Sequence, residues 1–166
     1  MIPAMRRHFT VSGFVVEGDA TLLHWHPKLS MWLPPGGHID PDEDMTEAVI
    51  REVLEETGIA AEIVPHVPLA QFSNIPQLPV PLKIIVADIE GDPHQHIDMS
   101  YALRERAGVP RIEPERDHGF FWVTADQLRR NELLPATPHS APFPIAEDVR
   151  VIGLQAIDVV RNAAQT

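Results

Sequence analysis

The hydrophobic pattern at the start of the chain predicts a β-hairpin. Between Phe9 and Leu23, β-branched and aromatic residues alternate with small ones, and "EGDA" at 17–20 supplies the turn between the two runs. The segment "KLSMWLPPGGHI" follows, with Pro34 and Pro35 directly before Gly36 and Gly37. Two prolines and two glycines in a row predict that regular structure ends there in an irregular loop.

A helix is predicted over residues 45–57. Asp44 is a plausible N-cap with Glu47 three residues later, the spacing of a capping box, and Gly58 fits a left-handed C-terminal cap. A closing helix is predicted from a buried stripe at spacings of three and four, formed by Ile145, Val149, Ile152, Ala156 and Val160.

The remaining elements are predicted from apolar runs separated by charge, glycine and proline. Four segments indicate strands, some bent or at a sheet edge: 61–75, 79–90, 94–105 and 119–123. Residues 104–118 are predicted to form a surface loop of the kind that often borders a site, and 124–131 a short capped helix. No repeat or linker divides the chain, so a single domain over residues 1–166 is expected.

Composition and charge limit the classes of function. The chain has 166 residues, 44% of them hydrophobic, with a net charge of −11 and only two lysines, Lys28 and Lys83. A duplex nucleic acid is therefore not expected as the main partner, whereas carboxylates that hold divalent cations leave a polyphosphate substrate open. Cysteine is absent, which excludes disulfides and thiolate chemistry. The sequence shows no signal peptide or membrane-spanning run, so a cytoplasmic protein without membrane contact is expected.

The predicted helix at 45–57 gathers three carboxylates near its C-terminal end. At about 100° per residue, Glu52, Glu55 and Glu56 share one face. Val49, Ile50, Val53 and Leu54 are assigned to an opposite core face, and Ala48 is expected to leave space beside the carboxylates for a bound group. Arg51 lies at the margin, where it can orient neighbouring acids.

Two interpretations of this acidic face stand side by side. A solvated surface is the usual one, but like charges one turn apart and a helix C-terminus each disfavour these anions by a few tenths of a kcal/mol or more. A hard divalent cation bound by oxygens would reverse that penalty, and carbonyls freed in the glycine loop could complete its shell.

The residues from Gly37 to Ile59 resemble a known signature. Gly37, five residues, Glu43, seven residues and then "REVLEETGI" match every defined position of GX5EX7REUXEEXGU, the signature of the Nudix (MutT-like) hydrolases, in which U is a bulky aliphatic residue. The resemblance implies an α/β fold in which a mixed β-sheet is sandwiched between α-helices. It also implies an enzyme, a pyrophosphatase acting on phosphorus-containing acid anhydrides, that cleaves a nucleoside diphosphate linked to another moiety with Mg²⁺ or Mn²⁺.

Site roles follow from the resemblance by position. It implies Glu52, Glu55 and Glu56 as metal ligands, together with the carbonyl of Gly36 or Gly37. It implies Arg51 as an orienting partner of the carboxylates and Glu43 as a supporting acid. Cleavage of a P–O–P bond needs charge neutralisation, an activated water and in-line geometry, which clustered divalent ions supply. The general base is left between Glu52 and Glu55.

Residues outside the signature are candidates with ordinary structural alternatives. His94 and His96 lie on one side of a strand, where a base or phosphate contact competes with simple exposure. Lys28 could meet a terminal phosphate, but exposure is the simpler expectation for it and for His24 and His26. The acids of the predicted loop are candidates for an additional metal ligand or base, with Glu115 preferred over Glu113 and Asp117. Three aromatic residues could either stack on a nucleobase or fill the core: Trp32, Phe72 and Tyr101.

The alternative to an enzyme is a non-catalytic nucleotide-sensing module of the same fold. Such copies usually lose signature acids, and this sequence retains them all. The expected partner is thus a small nucleoside diphosphate-type substrate. The resemblance also implies that a homodimer is plausible, but the sequence does not identify an interface.

Overall fold

The computed structural model describes residues 6–89, 94–115, 119–136 and 141–165. The strands are β1 (Arg6–Glu17), β2 (Ala20–His26), β3 (Met31–Leu33), β4 (Gly36–His38), β5 (Ala61–Ile63), β6 (Lys83–Asp88), β7 (His94–Glu105), β8 (Phe121–Thr124), β9 (Leu134–Pro135) and β10 (Pro142–Phe143). The helices are α1 (Met45–Thr57), α2 (Ala125–Arg130) and α3 (Glu147–Ala163). None of them combines the length and apolar character needed to cross a membrane.

One mixed sheet organises the chain, with β1 at its centre. β1 runs parallel to β7, from Arg6 opposite His94 to Val16 opposite Arg104, and antiparallel to β2 and β4. The strands β5 and β6 pair with β7, and β3 and β8 pair with β2. The predicted hairpin is confirmed, with Gly18 at positive φ in its turn.

Helices cover both faces of this sheet. Successive residues of β1 point to opposite sides, so β1 contributes to the core on each face. Val11 and Val15 pack with α1 in one buried cluster, and Phe14 and Val16 belong to a second cluster that includes residues of α3. A Cβ added at Gly13 would lie 2.6 Å from Val53 Cγ2, so the glycine lets α1 approach β1 closely. A mixed sheet between α-helices is therefore confirmed.

Helix α1 has the predicted bounds and caps. Asp44 accepts hydrogen bonds from the backbone N–H groups of Thr46 and Glu47 at 2.7 and 3.1 Å, and Glu47 returns one by accepting from Asp44 N at 2.9 Å. Gly58 ends the helix with φ at 69°, and its N–H donates to Leu54 O at 2.8 Å. Local capping chemistry is sufficient to set both ends of this helix.

The predicted division of α1 into a core face and an opposite carboxylate face is wrong. The buried side chains are Ala48, Val49, Glu52, Val53 and Glu56, whereas Ile50 and Leu54 are only half-buried. Ala48 is fully buried in the apolar cluster and leaves no space for a ligand. Two carboxylates therefore lie on the side of α1 that meets the sheet.

Other differences from the sequence predictions follow from pairing between distant strands. Residues 36–38 form strand β4 against β1 instead of an irregular loop, because the ladder with Thr10, Val11 and Ser12 outweighs the local preference of glycine. Of the segment 61–75, only Ala61–Ile63 is a strand. The closing helix begins at Glu147, so Ile145 is buried just before it.

Candidate active site

Strand β4 brings the two glycines directly against the acidic helix. Gly36 N donates to Glu56 Oε2 at 3.1 Å. A Cβ placed on Gly37 would overlap the Glu52 carboxylate, and one placed on Gly36 would overlap Val11 O. At Gly36 a side chain would collide with backbone, whereas at Gly37 it would displace the Glu52 carboxylate.

Two of the three glutamates are buried. Glu52 and Glu56 are each 5% exposed, and the Glu55 side chain is 24% exposed. Burying a carboxylate is costly unless a hydrogen bond, an opposite charge or a cation compensates. The site therefore places two carboxylates where protein groups or a cation must replace the water that would otherwise solvate them.

Among the described residues, Arg51 is a basic residue that contacts two carboxylates of this cluster. Its guanidinium contacts Glu43 through Nε at 3.0 Å and Nη2 at 2.5 Å, and it donates through Nη1 to Glu52 Oε1 at 2.9 Å. Nη1 is also 3.4 Å from Glu55 Oε2, and Nη2 donates to His38 O at 3.0 Å. The hydrogen bond from Arg51 holds the pKa of Glu43 below its usual range, and the same contact raises the pKa of Arg51. Arg51 thereby fixes the orientation of the carboxylates.

The donor set fits a hard divalent cation. Glu52, Glu55 and Glu56 offer only oxygen atoms, and the backbone of Gly36 and Gly37 lies against two of them with no side chain between. Mg²⁺ and Mn²⁺ prefer such oxygen ligands, whereas softer metals prefer nitrogen and sulfur.

A cleft of about 600 Å³ opens beside these residues. Gly36, Gly37 and Glu56 line one part of it. Another part is a polar column on neighbouring strands, formed by Thr10, Ser12, Asp98 and Ser100. The cleft has the size expected for a small-molecule site and lies next to the candidate metal ligands.

Asp98 is a cleft residue that the sequence reasoning missed. It accepts hydrogen bonds from the hydroxyls of Thr10, Ser12 and Ser100 at 2.9, 3.0 and 3.1 Å. Burial raises the pKa of Asp98, and the three hydroxyls offset part of that effect. The available signal was the alternation His96, Asp98, Ser100 within one predicted strand, which places three polar side chains on one face.

The histidine predictions have mixed outcomes. His94 and His96 lie on the same side of β7, as expected, with their Nε2 atoms 3.2 Å apart, and His96 lines the cleft. Burial, followed by the neighbouring His38, His94 and His8, lowers the pKa of His96. The expected exposure of His24 is wrong, since it is 4% exposed and packs against Phe120. Lys28 is exposed, as expected.

Glu113 and Glu115, the described acids of the predicted loop, do not line the cleft. Glu115 N donates to Glu55 O at 2.7 Å, which ties the loop to the helix, but the Glu115 side chain is exposed. Glu113 is exposed too, and Asp117 lies outside the described residues. Of the aromatic candidates, Trp32 and Tyr101 are core residues, and Phe72 is 64% exposed.

Comparison with known proteins places the chain in a family. The profile of the NUDIX domain matches residues 6–144. A crystal structure of a NUDIX-family hydrolase from Clostridium perfringens superposes with a TM-score of 0.74 and 29% identity, covering 94% of this chain and 99% of that one. The chain therefore belongs to the NUDIX family of hydrolases.

Curated relatives match over shorter stretches. An asymmetrical bis(5'-nucleosyl)-tetraphosphatase of Rattus norvegicus is 57% identical over 56 residues, which are 34% of this chain and 38% of that protein. An m7GpppN-mRNA hydrolase of Bos taurus is 40% identical over 47 residues, which are 28% of this chain and 14% of that protein. The matches span much less than two thirds of these relatives.

Proposed function

We propose that the chain is a Mg²⁺- or Mn²⁺-dependent pyrophosphohydrolase that cleaves the diphosphate bond of a nucleoside diphosphate linked to another moiety. The observation that carries the proposal is the packing of the Gly36–Gly37 backbone against the buried Glu52 and Glu56. The combination of buried carboxylates, a close glycine backbone and an adjoining cleft suits a metal-assisted phosphoryl reaction.

Each residue of the site has a role in this proposal. Glu52, Glu55 and Glu56, with the carbonyl of Gly36 or Gly37, would hold the cation, which supplies charge neutralisation on the phosphoryl oxygens and an activated water. Arg51 positions Glu52 and Glu55 through its hydrogen bonds. The general base that takes the proton from the attacking water is Glu52 or Glu55. It is the one whose carboxylate keeps an oxygen that is not bound to the cation.

The substrate would lie in the cleft. Gly37 and His96 both line it, so they are positioned to meet the substrate. Lys28 and Glu115 are exposed and lie outside the cleft lining, so a substrate contact by either would require a ligand that extends beyond the cleft. The names of two relatives refer to nucleosyl tetraphosphate and m7GpppN-mRNA, which supports a ligand with a nucleoside and a phosphate chain.

A substrate panel tests the proposal. Nucleoside triphosphates, nucleotide sugars, dinucleoside polyphosphates and capped oligonucleotides are assayed with Mg²⁺, Mn²⁺ or a chelator. We expect metal-dependent release of phosphate-bearing products, reduced about 100-fold or more by Glu55→Gln or Glu56→Gln. Glu132→Gln is the matched control, since Glu132 is exposed after the end of α2.

Two results would overturn this assignment. Turnover that is indifferent to both active-site substitutions would remove these glutamates from the reaction. Tight nucleotide binding without turnover of any substrate under Mg²⁺ or Mn²⁺ would favour a non-catalytic nucleotide-sensing module instead.

A further inference from the structure

Four histidines from three strands meet at the edge of the cleft. In the β1–β7 ladder His8 lies opposite His96, and in the β1–β4 ladder His38 lies opposite Thr10, the next residue along that face. His94 lies two residues before His96 on the same side of β7. The strand register therefore brings these four imidazoles together. We call them the histidine cluster.

The nitrogen atoms of the cluster have the spacing of metal ligands. His8 Nδ1 is 3.3 Å from His38 Nε2, and His94 Nε2 is 3.2 Å from His96 Nε2. Nitrogens bound about 2.0–2.1 Å from one tetrahedral zinc ion lie about 3.3 Å apart. One ring nitrogen from each of His8, His38 and His96 lies within 4.8 Å of the other two, so small side-chain rotations suffice to reach a common ion.

The surroundings hold the ligands in place. The rings of His38 and His96 lie 5.0 Å apart at an interplanar angle of 81°, and those of His94 and His96 lie 5.0 Å apart. His8, His94 and His96 are half-buried on strands, and His38 is exposed, which leaves an entry for an ion from solvent. Ligands on paired strands lose little freedom when they bind, which favours affinity.

We propose that His8, His38 and His96 form a binding site for a transition-metal ion of the Zn²⁺, Ni²⁺ or Cu²⁺ class, with His94 packed against His96. Imidazole nitrogen suits these metals, whereas Mg²⁺ is bound by oxygen. The site is chemically separate from the carboxylate site on α1, although His38 directly follows Gly37 and His96 lines the same cleft. This inference does not depend on the proposed hydrolysis.

Metal titration of the full chain tests the site. Zn²⁺ binding is measured by calorimetry in excess Mg²⁺, which occupies oxygen sites, and Co²⁺ is used as a visible spectroscopic probe of nitrogen coordination. We expect one Zn²⁺ per chain and a Co²⁺ spectrum typical of low coordination number. Each of His8→Asn, His38→Asn and His96→Asn should weaken binding at least about tenfold, since even loss of an outer-shell partner has effects of about 10- to 100-fold.

The controls separate this site from its alternatives. His66→Asn changes a histidine outside the cluster and should leave Zn²⁺ affinity unchanged, as should Glu56→Gln. In the unaltered chain, Ni²⁺ or Co²⁺ should broaden the imidazole resonances of His8, His38 and His96 first, which tests the site even if a variant fails to fold. Wild-type affinity in all three cluster variants, loss of Zn²⁺ binding in Glu56→Gln, or broadening confined to other histidines would overturn the proposal.

Discussion

Arg51 donates two hydrogen bonds to the Glu43 carboxylate, from Nε to Oε2 at 3.0 Å and from Nη2 to Oε1 at 2.5 Å. This bidentate pair joins the segment before α1 to the middle of the helix, and it leaves Nη1 to reach Glu52 at 2.9 Å. A planar guanidinium can make both contacts at once, and an ammonium group cannot. The geometry of the site therefore depends on arginine at this position.

Replacing Arg51 with lysine should lower kcat about 100-fold, because a misplacement of about 1 Å in the reacting groups has an effect of that size. KM should change much less than kcat, since Arg51 positions carboxylates instead of lining the cleft. The variant is compared with Arg104→Lys, which alters an exposed ion pair with Glu62. Equal kinetics for the Arg51 variant and wild type would remove Arg51 from the site.

Alanine substitutions at the two adjacent glycines should have different consequences. At Gly37 the added methyl meets the end of the Glu52 side chain, which can move, so we expect a near-normal melting temperature and a large loss of activity. At Gly36 it meets the backbone carbonyl of Val11, so we expect destabilisation of roughly 1–3 kcal/mol or more. Thermal unfolding and turnover of both variants measure the contrast. Loss of stability at Gly37 with full stability at Gly36 would contradict the described packing.

Tyr101 provides a pH-dependent test, because it is the single tyrosine of the chain. Burial, with a smaller effect of Asp44, raises the pKa of Tyr101 to about 12. The folded chain then keeps a proton that the unfolded chain releases near pH 10. The contribution of Tyr101 to the free energy of unfolding is therefore fully present below about pH 10, and roughly 2–3 kcal/mol is lost as the pH rises to about 12. Tyrosinate absorbance in the near ultraviolet should therefore appear only near pH 12 or together with unfolding.

The matched variant is Tyr101→Phe, which should lack this alkaline loss of stability. The Tyr101 hydroxyl is buried without a hydrogen-bond partner among the described residues, so its removal should be neutral or stabilising by up to about 1 kcal/mol near neutral pH. Ionisation near pH 10 in a chain that is still folded would contradict the burial of this side chain.

The features that the sequence predicted well are those with local causes. The bounds of α1 follow from Asp44, Glu47 and Gly58, which lie within or next to the helix, and β7 follows from one uninterrupted polar-apolar run. Strand β4 was missed because three residues with two glycines have no strand preference of their own, and only pairing with β1 makes them a strand.

The sequence predicted which residues form the candidate site, but it did not predict that two of the glutamates are buried. Periodicity assigned the glutamates to an outer face, but β4 covers part of the helix, so Glu52 and Glu56 are buried beside it. The histidine cluster joins residues about 30 and 90 positions apart in the chain, and its convergence depends on a strand register that no local pattern specifies.

Thermal unfolding with and without Mg²⁺ tests most directly whether the carboxylates of α1 bind a cation. In chelator, Glu56→Gln should have a melting temperature close to that of wild type, because its amide oxygen can still accept the hydrogen bond from Gly36 N. Mg²⁺ at about 100 times its dissociation constant should stabilise wild type by about 2.7 kcal/mol and the variant by far less. An unchanged wild-type melting temperature with Mg²⁺ or Mn²⁺, or an equal increase in Glu56→Gln, would contradict the account.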